Sequence, residues 1–130
     1  MIDDDLAAEF QQICEIAREV RLEFEIGTTD VDILSDLYRG YAVVGDIAAF
    51  LRKAMVLFPA GNGSLASLYL QSVLGGEVRR GWYKSENHTF LVLEEKIVVD
   101  ITADQHGGPP VYVGPLRYPY TIGREKGGTV

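Results

Sequence analysis

Between Asp3 and Phe24 the apolar residues Leu6, Phe10, Ile13, Ala17, Val20 and Phe24 recur every three or four positions, the spacing of one helix face. The spacing predicts a first helix. Aspartates at its start favour the positive end of the helix dipole, and Gly27 marks its stop. Cys14 follows Ile13 near that stripe and reads as a small, half-buried hydrophobe, with no base or metal partner nearby in sequence. A short second helix is expected in "GTTDVDILSDLYRG", from Thr and Asp cap candidates through Val31, Leu34 and Leu37 to Gly40. "GDIAAFLRKAMVLF" predicts a third, with Asp46 as cap and Pro59 disfavouring helical geometry at Phe58. Ser64 to Leu74 sets Leu65, Leu68 and Tyr69 on one face and ends at Gly75-Gly76, a buried fourth helix.

After Gly76 the period changes. "EVRRGWYK", "HTFLVLEE" and "KIVVDIT" are rich in Val, Ile, Thr and aromatics and are separated by short polar breaks, which predicts antiparallel strands joined by hairpins. Val111 to Val113 offers one more short strand, confined by its flanking prolines to an edge or terminus. "RYPYTIGREKGGTV" is too rich in glycine and charge to predict an element, and its last residues are expected to fray. Tyr112, Tyr118 and Tyr120 are expected to close the core rather than form a lip around a cleft. Helices first and strands afterwards give one α+β domain over residues 1–130, helices packed on a small antiparallel sheet.

Composition narrows the function. With 130 residues, 47% of them hydrophobic, the chain is long enough to bury a core without metals or disulfides. A net charge of −7 argues against nucleic acid or anionic membrane as partner, because Lys and Arg carry such binding. One cysteine excludes an intrachain disulfide. The acidic N-terminus is unlike a secretory signal and no apolar run reaches membrane-spanning length, so a soluble, cytoplasmic protein is expected. His88 and His106 with no cysteine partner or His-Glu-x-x-His spacing make no zinc motif, and neither "GNG" nor "GGEV" has the Gly-Lys-Ser/Thr end of a phosphate loop. No cofactor is expected.

Three places, in chain order, carry the chemistry: the turn "FPAGNG" before the fourth helix, His88 at the start of a strand, and Asp100 at the end of the next. A cysteine hydrolase sets a thiolate at a helix N-terminus, a histidine on a facing strand to move the proton, and an acidic or amide group to orient that histidine. A turn near Glu94-Glu95-Lys96 would pair His88 with a residue close to Ile101 or Thr102, bringing His88 and Asp100 together. "FPAGNGSLASLYL", "HTFLVLEE" and "VDITADQH" resemble three blocks of the papain-like cysteine hydrolases of transglutaminase-like type, in the small bacterial members. Phe58, Pro59, Gly61, Ser67, His88, Asp100, Ile101, Thr102, Ala103, Asp104 and Gln105 stand at matching positions. Thr89-Phe90 and His106 depart from the pattern, the latter harmlessly if its side chain is at the rim. Gly63 stands where the family carries its cysteine.

The resemblance implies a papain-like or transglutaminase-like core. It also implies thiolate attack from position 63 on an amide, isopeptide or thioester carbonyl, with His88 as base then acid and Asp100 orienting it. Asn62, Ser64 and Gln105 are expected as oxyanion or supporting residues. Glycine carries no nucleophile, so the chain as written is expected to form no acyl-enzyme. Three explanations compete: a cysteine changed to glycine, a natural pseudoenzyme that holds a peptide or partner protein in the inherited cleft, and a register slip that makes Ser64 the nucleophile. A toxin or delivered effector is a further reading, and a peptide or protein is the expected substrate.

Overall fold

The structure, a computed structural model, describes residues 2–122, with side chains from residue 7 onward. Four helices come first: α1 (Ile2–Ile26), α2 (Val31–Arg39), α3 (Ile47–Leu57) and α4 (Gly63–Leu74). Local chemistry sets their ends. The Asp30 carboxylate accepts from the amides of Asp32 and Ile33 at 2.9 and 3.2 Å and opens α2, and Asp46 accepts from Ala49 at 3.0 Å and opens α3. Such caps satisfy first-turn N–H groups that have no partner inside the helix. α3 stops at Leu57, and Phe58, before Pro59, has extended backbone with ψ of 133°. α4 starts one residue earlier than the apolar spacing suggests, at Gly63, with no side-chain cap from Asn62.

The strands β1 (Glu77–Tyr83), β2 (Glu86–Leu93), β3 (Ile97–Asp100), β4 (Tyr112–Pro115) and β5 (Tyr120–Ile122) form one antiparallel sheet in the order β4-β3-β2-β1-β5. Hairpins join β1 to β2 and β2 to β3, as the polar breaks predict. β4 lies at an edge, as its prolines require, shifted slightly from Val111–Val113. The expectation for the tail needs correction, because Tyr120–Ile122 pairs with Gly81–Tyr83 and adds a fifth strand. The expected fraying of the last residues lies outside the described residues.

β2 is the middle strand and is buried on both faces. Leu91 and Val99 point to the helices and join Val20 and Phe24 of α1, Leu34 of α2, Leu51 of α3 and Leu65 and Leu70 of α4. Phe90, Val92 and Val98 point the other way, into a second core with Tyr83, Ala103 and Tyr120. Alternation along a strand dictates this split. The helices sit on one face of the sheet, and the other is closed by the chain after β3, including a short 3-10 helix over Ala103–His106. Among the described residues no helix is long and apolar enough to cross a membrane.

Candidate active site

His88 lies on β2 opposite Gly81 of β1. The β2–β3 register pairs Leu91 with Val99, and its continuation sets His88 opposite Thr102, as the hairpin spacing predicts. Asp100 is then a diagonal neighbour of His88 on the same face. His88 Nε2 meets Asp100 Oδ2 at 2.7 Å, with both side chains only 1% exposed. A carboxylate only accepts, so Nε2 carries the proton and Nδ1 is left for the cavity that His88 lines.

Asp100 takes more than the histidine. Its Oδ1 accepts from the Thr102 amide at 3.0 Å and the Thr102 hydroxyl at 3.3 Å, and its Oδ2 also accepts from the Tyr120 hydroxyl at 2.7 Å. Four donors thus hold one buried carboxylate, as burial of a charge requires. Burial, and then the Asp100 charge, drive the Tyr120 hydroxyl far above its ordinary pKa, so it stays a donor. Gly81 makes this contact geometrically accessible: a Cβ there would run into the Thr121 carbonyl, so only glycine lets β5 close onto β1. Tyr120 is therefore a core residue, as expected of it, and also a partner of the site, which the sequence pattern does not signal. Tyr118 is exposed, and Tyr112 is half-buried with its hydroxyl on the Pro115 carbonyl.

The remaining polar residues of "DITADQH" are each engaged. Arg21, reaching from α1, donates to both Asp104 oxygens at 2.9 and 2.8 Å and to the Ile101 carbonyl at 2.8 Å, with its guanidinium 4.7 Å above the Phe58 ring. The Gln105 Oε1 accepts from the Gly61 amide at 3.1 Å. Gly61, at φ +72°, is left-handed and turns the chain into α4. Gln105 thereby ties down the turn that delivers α4, while Asp104 is held by Arg21 of α1. Asn62 is buried with its amide donating to the Ala54 and Ala60 carbonyls at 2.8 and 3.0 Å. Its side chain thereby braces the turn.

Gly63 is the first residue of α4 and is buried against β2, where an added Cβ would stand 3.1 Å from the Thr89 carbonyl oxygen. Gly63, Ser64, His88 and Gln105 share one cavity of about 370 Å³ with Arg80 and His106. Residues singled out far apart in sequence therefore meet around one space. Ser64 lines the cavity close to the Tyr41 hydroxyl. Burial pushes the Tyr41 hydroxyl up, and hydrogen bonding by Arg80 and Ser64, with the Arg80 charge and Thr89, brings it below its usual value. Ser64 has no contact with His88 among the hydrogen bonds of the described residues, which does not support the register slip.

His106 is half-buried and lines the same cavity. It meets His88 edge to face at 4.9 Å between centroids and lies parallel to Tyr83 at 6.3 Å. Burial, followed by the neighbouring His88, lowers its pKa from 6.5, opposed by Glu86, Asp100 and the Asn87 backbone. Local pattern gives no signal for this contact, since the short helix that swings His106 round exists only in three dimensions. Among the described residues no group of three or more His, Cys, Asp or Glu is arranged to hold a metal ion. No family model, curated protein or solved structure matches the chain.

Proposed function

We propose that the chain carries the site of a cysteine hydrolase or acyltransferase, of the papain-like or transglutaminase-like kind, with Gly63 at the nucleophile position. The buried Asp100–His88 pair, whose histidine lines one cavity with Gly63 and Ser64 at the start of α4, is the observation that carries this reading. A thiol at position 63 would lose its proton to His88 Nδ1 and attack an amide, isopeptide or thioester carbonyl carbon. The developing oxyanion would meet first-turn amides of α4, which Asn62 leaves without a side-chain cap. The C–N or C–S bond then breaks as His88 returns the proton to the leaving group, and water or another acceptor takes the acyl group. Asp100 holds the tautomer throughout. With glycine at 63 the chain as it stands binds such a carbonyl compound without cleaving it.

The test is Gly63→Cys with Cys14→Ser, exposed to an electrophilic thiol probe at neutral pH beside the same protein carrying His88→Ala. Rapid labelling that depends on His88 is expected. Labelling at the rate of a free thiol, indifferent to His88, would overturn the enzyme reading. One observation favours a second reading, a natural noncatalytic module that holds a peptide in the cleft. The 3.1 Å approach of a Cβ at 63 to the Thr89 carbonyl is tight, so glycine fits this backbone better than any side chain does. A crystal structure of the Gly63→Cys variant with β2 displaced, together with slow labelling, would favour the module.

A further inference from the structure

The chain carries 19 acidic and 12 basic residues, yet among the described residues its central cavity is lined by no carboxylate. The lining supplies Arg80, two imidazoles and the uncapped start of α4. Arg80 is exposed and makes no ion pair among the described residues. Its Nε donates to the Tyr41 hydroxyl at 3.3 Å, with the guanidinium carbon 5.9 Å from that ring's centroid. That contact orients the fork and leaves its two terminal nitrogens unclaimed among the described residues. His88 also lines the cavity, is 1% exposed and has Nε2 engaged by Asp100, which leaves Nδ1 without a hydrogen-bond partner among the described residues.

We propose that this cavity takes a peptide through a carboxylate, with Arg80 as its anchor. Calling the ligand a peptide rests on the functional reading above; the carboxylate rests on the charge of the cavity itself. A planar monoanion suits the two free guanidinium nitrogens, which bind such groups side by side. The positive end of α4 adds a second attraction on the same wall. A single guanidinium neutralises a single charge, which favours a carboxylate over a phosphate dianion. The net charge of −7 disfavours polyanions, while the cavity itself presents Arg80 and no carboxylate among its lining residues. The carboxylate is a chain terminus or an acidic side chain adjoining the carbonyl presented to His88.

The test is an NMR titration of the isotope-labelled protein with N-acetyl-glycyl-glycine, its C-terminal amide, and N-acetyl-glycyl-aspartate α-amide. Shifts are expected at the Gly63 and Ser64 amides and the His88 ring, with at least one carboxylate peptide about tenfold tighter than the neutral amide. Arg80→Gln should abolish that preference and Arg80→Lys retain part of it, both without loss of thermal stability because Arg80 is exposed. The two acidic peptides separate a terminal from a side-chain carboxylate. Equal binding of acid and amide forms at these residues would overturn the anchor and leave the peptide cleft standing. Absence of any shift would also overturn the anchor, and thiol labelling of the Gly63→Cys variant would still decide the enzyme reading on its own.

Discussion

Replacing Tyr120 with Phe removes one atom from the site and nothing from its packing. The ring stays among Tyr112, Phe90 and Tyr83, whose centroids lie 4.8, 5.0 and 5.1 Å away, so no cavity follows. What is lost is a 2.7 Å hydrogen bond to a buried carboxylate. A bond of that kind contributes about 1.5–3 kcal/mol. Asp100 keeps three donors, two from Thr102 and one from His88, so the lower half of that range, about 1.5–2 kcal/mol, is expected. Urea unfolding followed by circular dichroism measures it, with the slope unchanged because the exposed area is unchanged. Tyr112→Phe is the control: its hydroxyl bonds an exposed backbone carbonyl at 2.9 Å, and its loss is expected below about 0.5 kcal/mol. If the two variants are equally stable, Tyr120 does not hold Asp100 and the account of the buried carboxylate fails.

Arg21→Lys keeps the charge but not the fork to Asp104, and should cost about 1–2 kcal/mol in the same assay, with Arg21→Ala costing about 3. Gly81→Ala drives a methyl into the Thr121 carbonyl and should cost about 1–3 kcal/mol, with faster hydrogen exchange confined to Tyr120–Ile122 and its β1 partners. Glu95 has φ of +62°, so Glu95→Gly should raise stability by about 0.5–1 kcal/mol by thermal or urea unfolding. His106 has a lowered pKa in the fold, so its contribution is fully present above pH 6.5 and is lost as pH falls through the folded value. Stability measured from pH 7.5 downward should therefore fall less steeply in His106→Asn than in the parent protein; an unchanged slope refutes the assignment.

The four helices and four of the strands are legible because each announces itself locally, by an apolar stripe, a capping aspartate or a run of β-branched residues. The His88–Asp100 contact is legible for the same reason, since a short hairpin fixes which residues face one another. β5 is not. It is three residues long, follows no periodic segment, and exists because Gly81, far earlier in the chain, leaves room for it. Tyr120 could be placed in the core by its ring but not against Asp100, which depends on that non-local pairing. Asn62 is legible by its place beside position 63, but the partner of its amide, the Ala54 carbonyl of α3, is not, because that contact depends on its rotamer in the fold. Arg80 and Tyr41 carry no motif and meet only because β1 passes α2's trailing loop.

His88 stands on the middle strand, with two strands on either side of it. Central strands open only when a domain unfolds as a whole, whereas turns and short helices open at far smaller cost. His88 is thus among the least mobile groups in the protein. Access to the cavity falls to the walls built from the Gly61 turn and the Ala103–His106 helix, which among the described residues one Gln105 hydrogen bond ties to each other. That bond sets the latch on the cavity's door, while the floor stays still.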